Sequence, residues 1–255
     1  MLLAITRQVS PSINRCELSF HPKEQIDLAK AIVQHQVYEG CLRELGATVI
    51  SLAAEPELPD AVFVEDAAVV VDEVGVIPVM GAASRRPETE SLARALSVYR
   101  PLAFMEAAGT LDGGDVMRIG RRVFVGASSR TNGEGIAQLR AVLGRFDYEV
   151  TAVEVKRCLH LKSGCSYLGR NSILVNRESV DLKPLVGFEL IDVPESEPGA
   201  ANALPIGDVV IVPAAFPATI ARLEARGFSV KAMDVSEFQK AEGGVTCKSI
   251  IFHTQ

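Results

Sequence analysis

Near the C-terminus, Ala241-Glu242-Gly243-Gly244-Val245-Thr246-Cys247 leads into a short apolar run at Ile250-Ile251. A glycine loop entering a strand places its cysteine at an open strand end, where a thiolate acts as a nucleophile. The alternative use of a free cysteine is as a small buried hydrophobe. A nucleophile needs an acid/base partner. Of the four histidines, His21 lies in a loop, His35 inside a helical stretch and His253 two residues from the C-terminus. His160 stands five residues before a strand start, in Leu159-His160-Leu161-Lys162-Ser163-Gly164-Cys165. It is the candidate general acid/base. Asp112, in Leu111-Asp112-Gly113-Gly114-Asp115, is the carboxylate that would orient it, although an isolated Asp-Gly also reads as a plain turn.

Acids are in excess near strand starts: Asp60, Glu65, Asp66, Asp112, Asp115 and Glu242. So many carboxylates around one site repel one another unless a cation neutralises them. The histidines make no evident metal-ligand arrangement, and Cys158 and Cys165, seven apart, do not make a zinc pair, so no metal and no cofactor is expected. A guanidinium fits better, because it meets carboxylates through paired hydrogen bonds. Arg85 and Arg130 follow hairpins and would clamp a substrate carboxylate.

The chain of 255 residues is 48% hydrophobic and 23% charged with net charge −6, an ordinary soluble composition that argues against a nucleic-acid partner. No apolar run reaches the roughly 18 residues of a membrane span. Five cysteines without paired spacing point to reduced thiols in the cytoplasm.

The elements that must position these residues repeat. Asp66, Asp115, Cys165, Asn202 and Cys247 each begin a hairpin or strand, at spacings of 49, 50, 37 and 45. Each unit reads as strand, strand, helix, strand, and one such unit cannot bury its own apolar face. Five units predict a closed ring of α/β class, with the five starting residues converging on its axis. The last unit lacks a helix and final strand, which the N-terminal strand and the Gln25–Leu45 helix would supply. That helix is expected to bury Ile26, Ala29, Ile32, Val33, Val37, Cys41, Leu42 and Leu45. Thr131 and Glu134 have capping-box spacing ahead of a helix reaching Phe146, and Ser236 is the expected cap of a last short helix. An open doubly wound sheet is the alternative, and the hairpins count against it.

Taken together, Leu58-Pro59-Asp60, Phe63-Val64-Glu65-Asp66, Gly81-Ala82-Ala83-Ser84-Arg85-Arg86, Leu111-Asp112-Gly113-Gly114-Asp115, Ser129-Arg130-Thr131-Asn132, Leu159-His160-Leu161-Lys162-Ser163 and Thr246-Cys247 closely resemble the motifs of the dimethylarginine dimethylaminohydrolases. These belong to the guanidine-modifying, amidinotransferase-like superfamily, and the likeness covers essentially the whole chain. It implies one five-bladed α/β-propeller domain over 1–255. It also implies hydrolysis of methylated arginine to citrulline and a methylamine through a covalent cysteine adduct. By resemblance, Cys247 is the nucleophile, His160 the acid/base and Asp112 its orienting acid. Glu65 and Asp66 would bind the guanidinium. Asp60 and the Leu18 carbonyl would hold the α-amino group, and Arg85 and Arg130 the α-carboxylate. Residues 12–22 would form a lid. Glu242 departs from the aspartate common at its position, and Asn14-Arg15-Cys16-Glu17-Leu18 departs from the usual pattern. An exposed outer strand or helix would serve a homodimer. An arginine deiminase and a silent arginine-analogue-binding propeller are the rival readings.

Overall fold

Valine- and isoleucine-rich runs bounded by glycine and polar turns make short strands. The computed structural model describes residues 1–254. Strand β1 (Leu2–Arg7) is followed by helix α1 (Leu28–Glu44) and β2 (Thr48–Leu52). A hairpin of β3 (Val69–Val70) and β4 (Gly75–Ile77) leads through α2 (Glu88–Leu96) to β5 (Leu102–Phe104). The pattern recurs in β6 (Val116–Ile119), β7 (Arg122–Ala127), α3 (Gly133–Leu143) and β8 (Glu149–Glu154). After the one-turn helix α4 (Leu161–Gly164), β9 (Cys165–Gly169) and β10 (Ser172–Val175) pair. A 3-10 turn at Lys183–Leu185 then replaces the crossover helix before β11 (Glu189–Asp192). Last come β12 (Leu204–Ile206), β13 (Val209–Pro213), α5 (Pro217–Glu224), β14 (Ser229–Met233), the short α6 (Ser236–Gln239) and β15 (Ile250–His253).

These strands form five three-stranded sheets, ordered β15-β1-β2, β3-β4-β5, β6-β7-β8, β9-β10-β11 and β12-β13-β14. In each, an antiparallel pair is extended by a parallel third strand. A parallel neighbour requires a crossover, which the helix or 3-10 turn supplies. The first sheet joins the chain ends, since Leu3 pairs with Phe252 on one side and Thr48 on the other.

Five apolar clusters each bridge successive sheets. They put Ile77 with Ile5 and Phe252, Val76 with Val123, Phe124 with Ile173, Leu174 with Val210, and Ile211 with Ala4. The last contact returns to the first sheet, so the chain is a closed five-bladed α/β propeller. Among the described residues no helix is long and apolar enough to cross a membrane.

Four expectations need correction. Helix α1 starts at Leu28 because the Asp27 carboxylate accepts the Lys30 N–H at 3.1 Å. Its apolar stripe is also split: Ile26, Cys41 and Leu42 are buried as expected, but Ile32, Val33 and Val37 are exposed, and Gln34, His35, Tyr38 and Glu39 are buried in their place. The polar residues go inward because partners await them there. Thr6 donates to Glu39 at 2.6 Å, and Tyr38 bonds Val245 at 2.8 Å. Helix α3 is capped by Asn132, which accepts the Gly135 N–H at 2.8 Å, because the Thr131 hydroxyl is taken by Asp115 at 2.7 Å. Ser236 opens α6 without capping it; its Oγ accepts from Gln34 instead. Finally, Cys165 does not face the axis. It is wholly buried among Leu161, Ile173 and Val180.

Candidate active site

Loops at one mouth of the ring carry the polar residues. Cys247 lies in the turn between α6 and β15, and a single side chain organises that turn. The Asn202 Oδ1 accepts the N–H groups of Val245 and Thr246 at 2.7 and 3.2 Å. Its Nδ2 donates to the Lys162 carbonyl and the Thr246 hydroxyl, both at 2.9 Å. Gly244 must be glycine here, because a Cβ would stand 2.1 Å from the Asn202 Oδ1. The Gly244 N–H points at the Cys247 Sγ, 3.3 Å away. Cys247 is half-buried. Burial, then the charges of Glu65 and Asp66, push its thiol up to about 12.

His160 is the residue just before α4. Its Nε2 lies 3.1 Å from Asp112 and its Nδ1 3.7 Å from Asp66. Burial works against its charged form, but Asp66, the Asp112 hydrogen bond and Asp115 outweigh that and raise it to about 9. Asp112 is held in turn: its Oδ1 accepts the Gly81 N–H at 2.9 Å. Asp115 is not at the surface of the site. Its carboxylate accepts from Ser128, Thr131 and the Leu161 N–H, and so fixes the start of α4 beside His160. Gly114 is a glycine because a Cβ would lie 2.6 Å from both the Asp66 Oδ1 and the His160 Nδ1.

The other expected residues divide. Asp60, Asp66, Arg85, Arg130, His160 and Cys247 line one enclosed cavity of about 20 Å³, together with Glu17, Phe63 and Glu242. That is room for about one water. Leu18, Glu65 and Asp112 are not in its wall. Glu65 pairs with Lys162 at 2.6 Å and accepts from the Thr246 hydroxyl at 2.7 Å, and it faces a separate cavity of about 120 Å³. Arg85 is buried against Asp66 at 2.7 Å and Glu88 at 2.9 Å. Burial opposes its charge, but Glu88 and Asp66 hold it well above the usual arginine value. Asp66 in turn stays below the usual carboxylate range: His160 and Arg85 overcome the burial that pushes the other way. Asp60 accepts the Glu17 N–H at 3.1 Å, and burial raises its carboxyl. Arg130 reaches from the Ser19 hydroxyl, 3.2 Å, towards Asp112, 4.0 Å.

The 12–22 loop closes this cavity. The Glu242 carboxylate accepts the N–H groups of Ser19, Phe20 and His21 at 2.5–3.1 Å. Glu242 itself adopts a left-handed backbone (φ 58°), uncommon outside glycine. A larger cavity of about 400 Å³ adjoins on the far side of Leu159, Glu242 and Gly243. Where the histidines suggested no ligand set, Asp66, Asp112 and His160 bring ligand atoms within 4.8 Å of one another. Those acids are already matched to His160 and Arg85.

A half-buried thiol, an acid-bracketed imidazole and a carboxylate paired with a buried guanidinium thus line one pocket. A family model described as N,N-dimethylarginine dimethylhydrolase, eukaryotic, matches residues 3–251. The chain belongs to this dimethylarginine dimethylaminohydrolase family. It is 36% identical over 228 residues to the N(G),N(G)-dimethylarginine dimethylaminohydrolase of Pseudomonas aeruginosa, covering 89% of this chain and 90% of that protein. A solved structure of that organism's enzyme, a cysteine-to-serine mutant complexed with citrulline, superposes with TM-score 0.94 at 34% identity and 98% coverage of both chains. A dimethylarginine dimethylaminohydrolase with a histidine-to-glycine substitution, solved as an adduct with S-methyl-L-thiocitrulline, also gives 0.94, at 34% identity, covering 99% of this chain and 100% of that one.

Against that family background, three residues at the site escaped the sequence reading. Lys162 neutralises Glu65, Thr246 links Glu65 to the Cys247 turn, and Glu88 pairs with Arg85. Only Glu88 left a local signal, its i,i+3 spacing from Arg85.

Proposed function

We propose that this member of the dimethylarginine dimethylaminohydrolase family hydrolyses Nω-methylated arginine, asymmetric dimethylarginine or monomethylarginine. The products are L-citrulline and dimethylamine or methylamine. The family match over 3–251 carries the reading, and Cys247 and His160 lining one pocket, with Asp112 against His160 at 3.1 Å, support it.

In the closed pocket, charges satisfy one another: Asp66 with Arg85, and Asp112 with His160 and Arg130. Methylarginine offers the same charges from outside. Its guanidinium takes Asp66, its carboxylate takes Arg85 and Arg130, and its α-amino group takes Asp60; Glu65 joins only by turning from Lys162, and the Leu18 carbonyl only by a shift of the 12–22 loop. Burial and the nearby acids keep the Cys247 thiol protonated; the arriving cation offsets them, and the thiol proton passes to solvent as the thiolate forms, to be regained when the adduct collapses. The thiolate attacks the guanidinium carbon and a tetrahedral adduct forms. His160, protonated at neutral pH, gives its proton to the departing amine, leaving a covalent thiouronium. Neutral His160 then takes a proton from water. The hydroxide adds to the same carbon, and collapse expels the Cys247 thiolate and leaves the ureido group of citrulline. Asp112 holds the imidazole throughout.

The chain acts as one domain over 1–255. A cytoplasmic, reduced setting suits its five free cysteines, and a homodimer is testable by sedimentation. The deciding assay is citrulline release from asymmetric dimethylarginine with arginine in parallel. The expected result is release from the methylated substrate, little from arginine, and none from Cys247→Ser. Full turnover by Cys247→Ser, or preference for arginine, would overturn the proposal.

A further inference from the structure

Lys248 follows Cys247 and has no solvent exposure. Its Nζ has no hydrogen-bond partner among the described residues. It lies 4.3 Å from the centroid of the Tyr38 ring and 4.6 Å from that of Phe238. An unpaired buried amine is costly, and an apolar side chain would fill this space without that cost. Two aromatic faces recover part of it only for the charged form. The box is tied to the nucleophile turn on both sides of the Cys247-Lys248 pair: the Tyr38 hydroxyl bonds the Val245 carbonyl at 2.8 Å and the Ser249 hydroxyl at 2.7 Å.

We propose that Lys248 is a positioning residue whose ammonium, held between Tyr38 and Phe238, stabilises the thiolate of Cys247 from the core side. The proposal rests on Cys247 being the nucleophile. Glu65 and Asp66 already oppose a negative charge at Cys247. Thiolate formation there without a compensating cation would add a third. With Lys248 present, one proton leaves Cys247 and one is taken up by the amine from solvent, so the buried pair becomes anion and cation at unchanged net charge. The groups facing Lys248 are few. His35 and Tyr38 come from α1, Phe238 from α6, Asp234 from the preceding turn and Cys247 from its own loop. Burial, then Lys248 itself, lowers His35 and so favours its neutral form. Glu237 on α6 is occupied by Lys30 and Lys240. Burial pulls Lys248 down to about 7, and the charges of Cys247 and Asp234 pull it back up. It is therefore poised to respond to the thiol near neutral pH.

The test is Lys248→Met, read by the rate at which iodoacetamide alkylates Cys247, localised by mass spectrometry, from pH 6 to 9. If the ammonium stabilises the thiolate, the unaltered protein reacts about tenfold faster than the variant at pH 6, one pH unit of thiol shift. The gap closes towards pH 9 as Lys248 loses its proton. The melting temperature of the variant stays level or rises, since an apolar chain replaces a buried amine. A folded variant with the same rates, or a rate ratio independent of pH, would overturn the proposal. Should the variant not fold, the coupling is read in the unaltered protein, because linkage is reciprocal. The alkylation rate of Cys247 should then show a break at the pH where the Lys248 Cε signal titrates, and a profile without a break there would overturn the idea. Neither readout needs turnover, so failure of the catalytic reading would show separately, as activity retained by Cys247→Ser.

Discussion

His160 is bracketed by Asp112 on one ring nitrogen and Asp66 on the other, and two predictions follow from its raised value of about 9. As the acid that protonates the departing amine, it loses function once deprotonated, so kcat should fall as pH rises through about 9. For stability, a histidine of ordinary value near 6.5 when unfolded and about 9 when folded contributes fully below the lower figure. That contribution disappears as pH climbs through the higher one. The melting temperature should therefore drop between pH 6.5 and 9, and His160→Gln should flatten that drop. Asn202 makes a separate case. Its Ala variant leaves the Val245 and Thr246 N–H groups unpaired, with an expected cost of about 1–3 kcal/mol in chemical denaturation and a loss of kcat of about tenfold or more. The proposed roles of Cys247, His160 and Asp112 were suggested by the sequence because each stands beside glycine or strand-start signals. Lys162 and Thr246 were not, because the Glu65 they serve lies 97 and 181 residues away.

At the scale of elements, Glu242 holds the 12–22 loop by accepting from the Ser19, Phe20 and His21 N–H groups, beside the ties from Asp60 to Glu17 and from Arg130 to Ser19. Charge-assisted hydrogen bonds are worth about 1.5–3 kcal/mol. Glu242→Ala should thus speed tryptic cleavage at Arg15 or Lys23 by about tenfold, while Glu242→Gln should have a smaller effect. Unchanged cleavage in both would mean that other contacts hold the loop. The position of Glu242, three residues past α6, was visible as a departure from the family pattern; its carboxylate's target was not, because that target lies 221–223 residues earlier. Helix α1 teaches a related lesson. Its spacing announced a helix, yet Ile32, Val33 and Val37 face solvent, because Tyr38, Gln34 and Glu39 had partners waiting in the Cys247 turn, α6 and β1. Periodicity identifies a helix from local geometry, but the buried face goes to whichever side finds the better partners.

At the scale of the molecule, ring closure depends on β15 pairing with β1, which is the only place where the two chain ends meet in one sheet. Deleting residues 1–7 would strand β2 and β15 and expose the apolar clusters on both flanks of the first blade. Loss of a cooperative melting transition by circular dichroism is expected; a retained sharp transition would mean that four blades suffice. The repeat of strand, strand, helix, strand was readable along the chain because strand pairing and glycine turns are local, and it already implied five blades and a ring. That Cys247, His160, Asp112 and most of the carboxylates would come near one another was readable for the same reason: loops at strand starts collect on one mouth of such a ring. Which of those residues share a pocket was decided only in three dimensions. Cys165 turned into the core, Glu65 turned to Lys162, and Lys248 was buried unpaired behind the nucleophile. The physical reason is that a side chain's direction at a strand start is set by charge balance and packing among blades distant in sequence, and no window along the chain contains those neighbours.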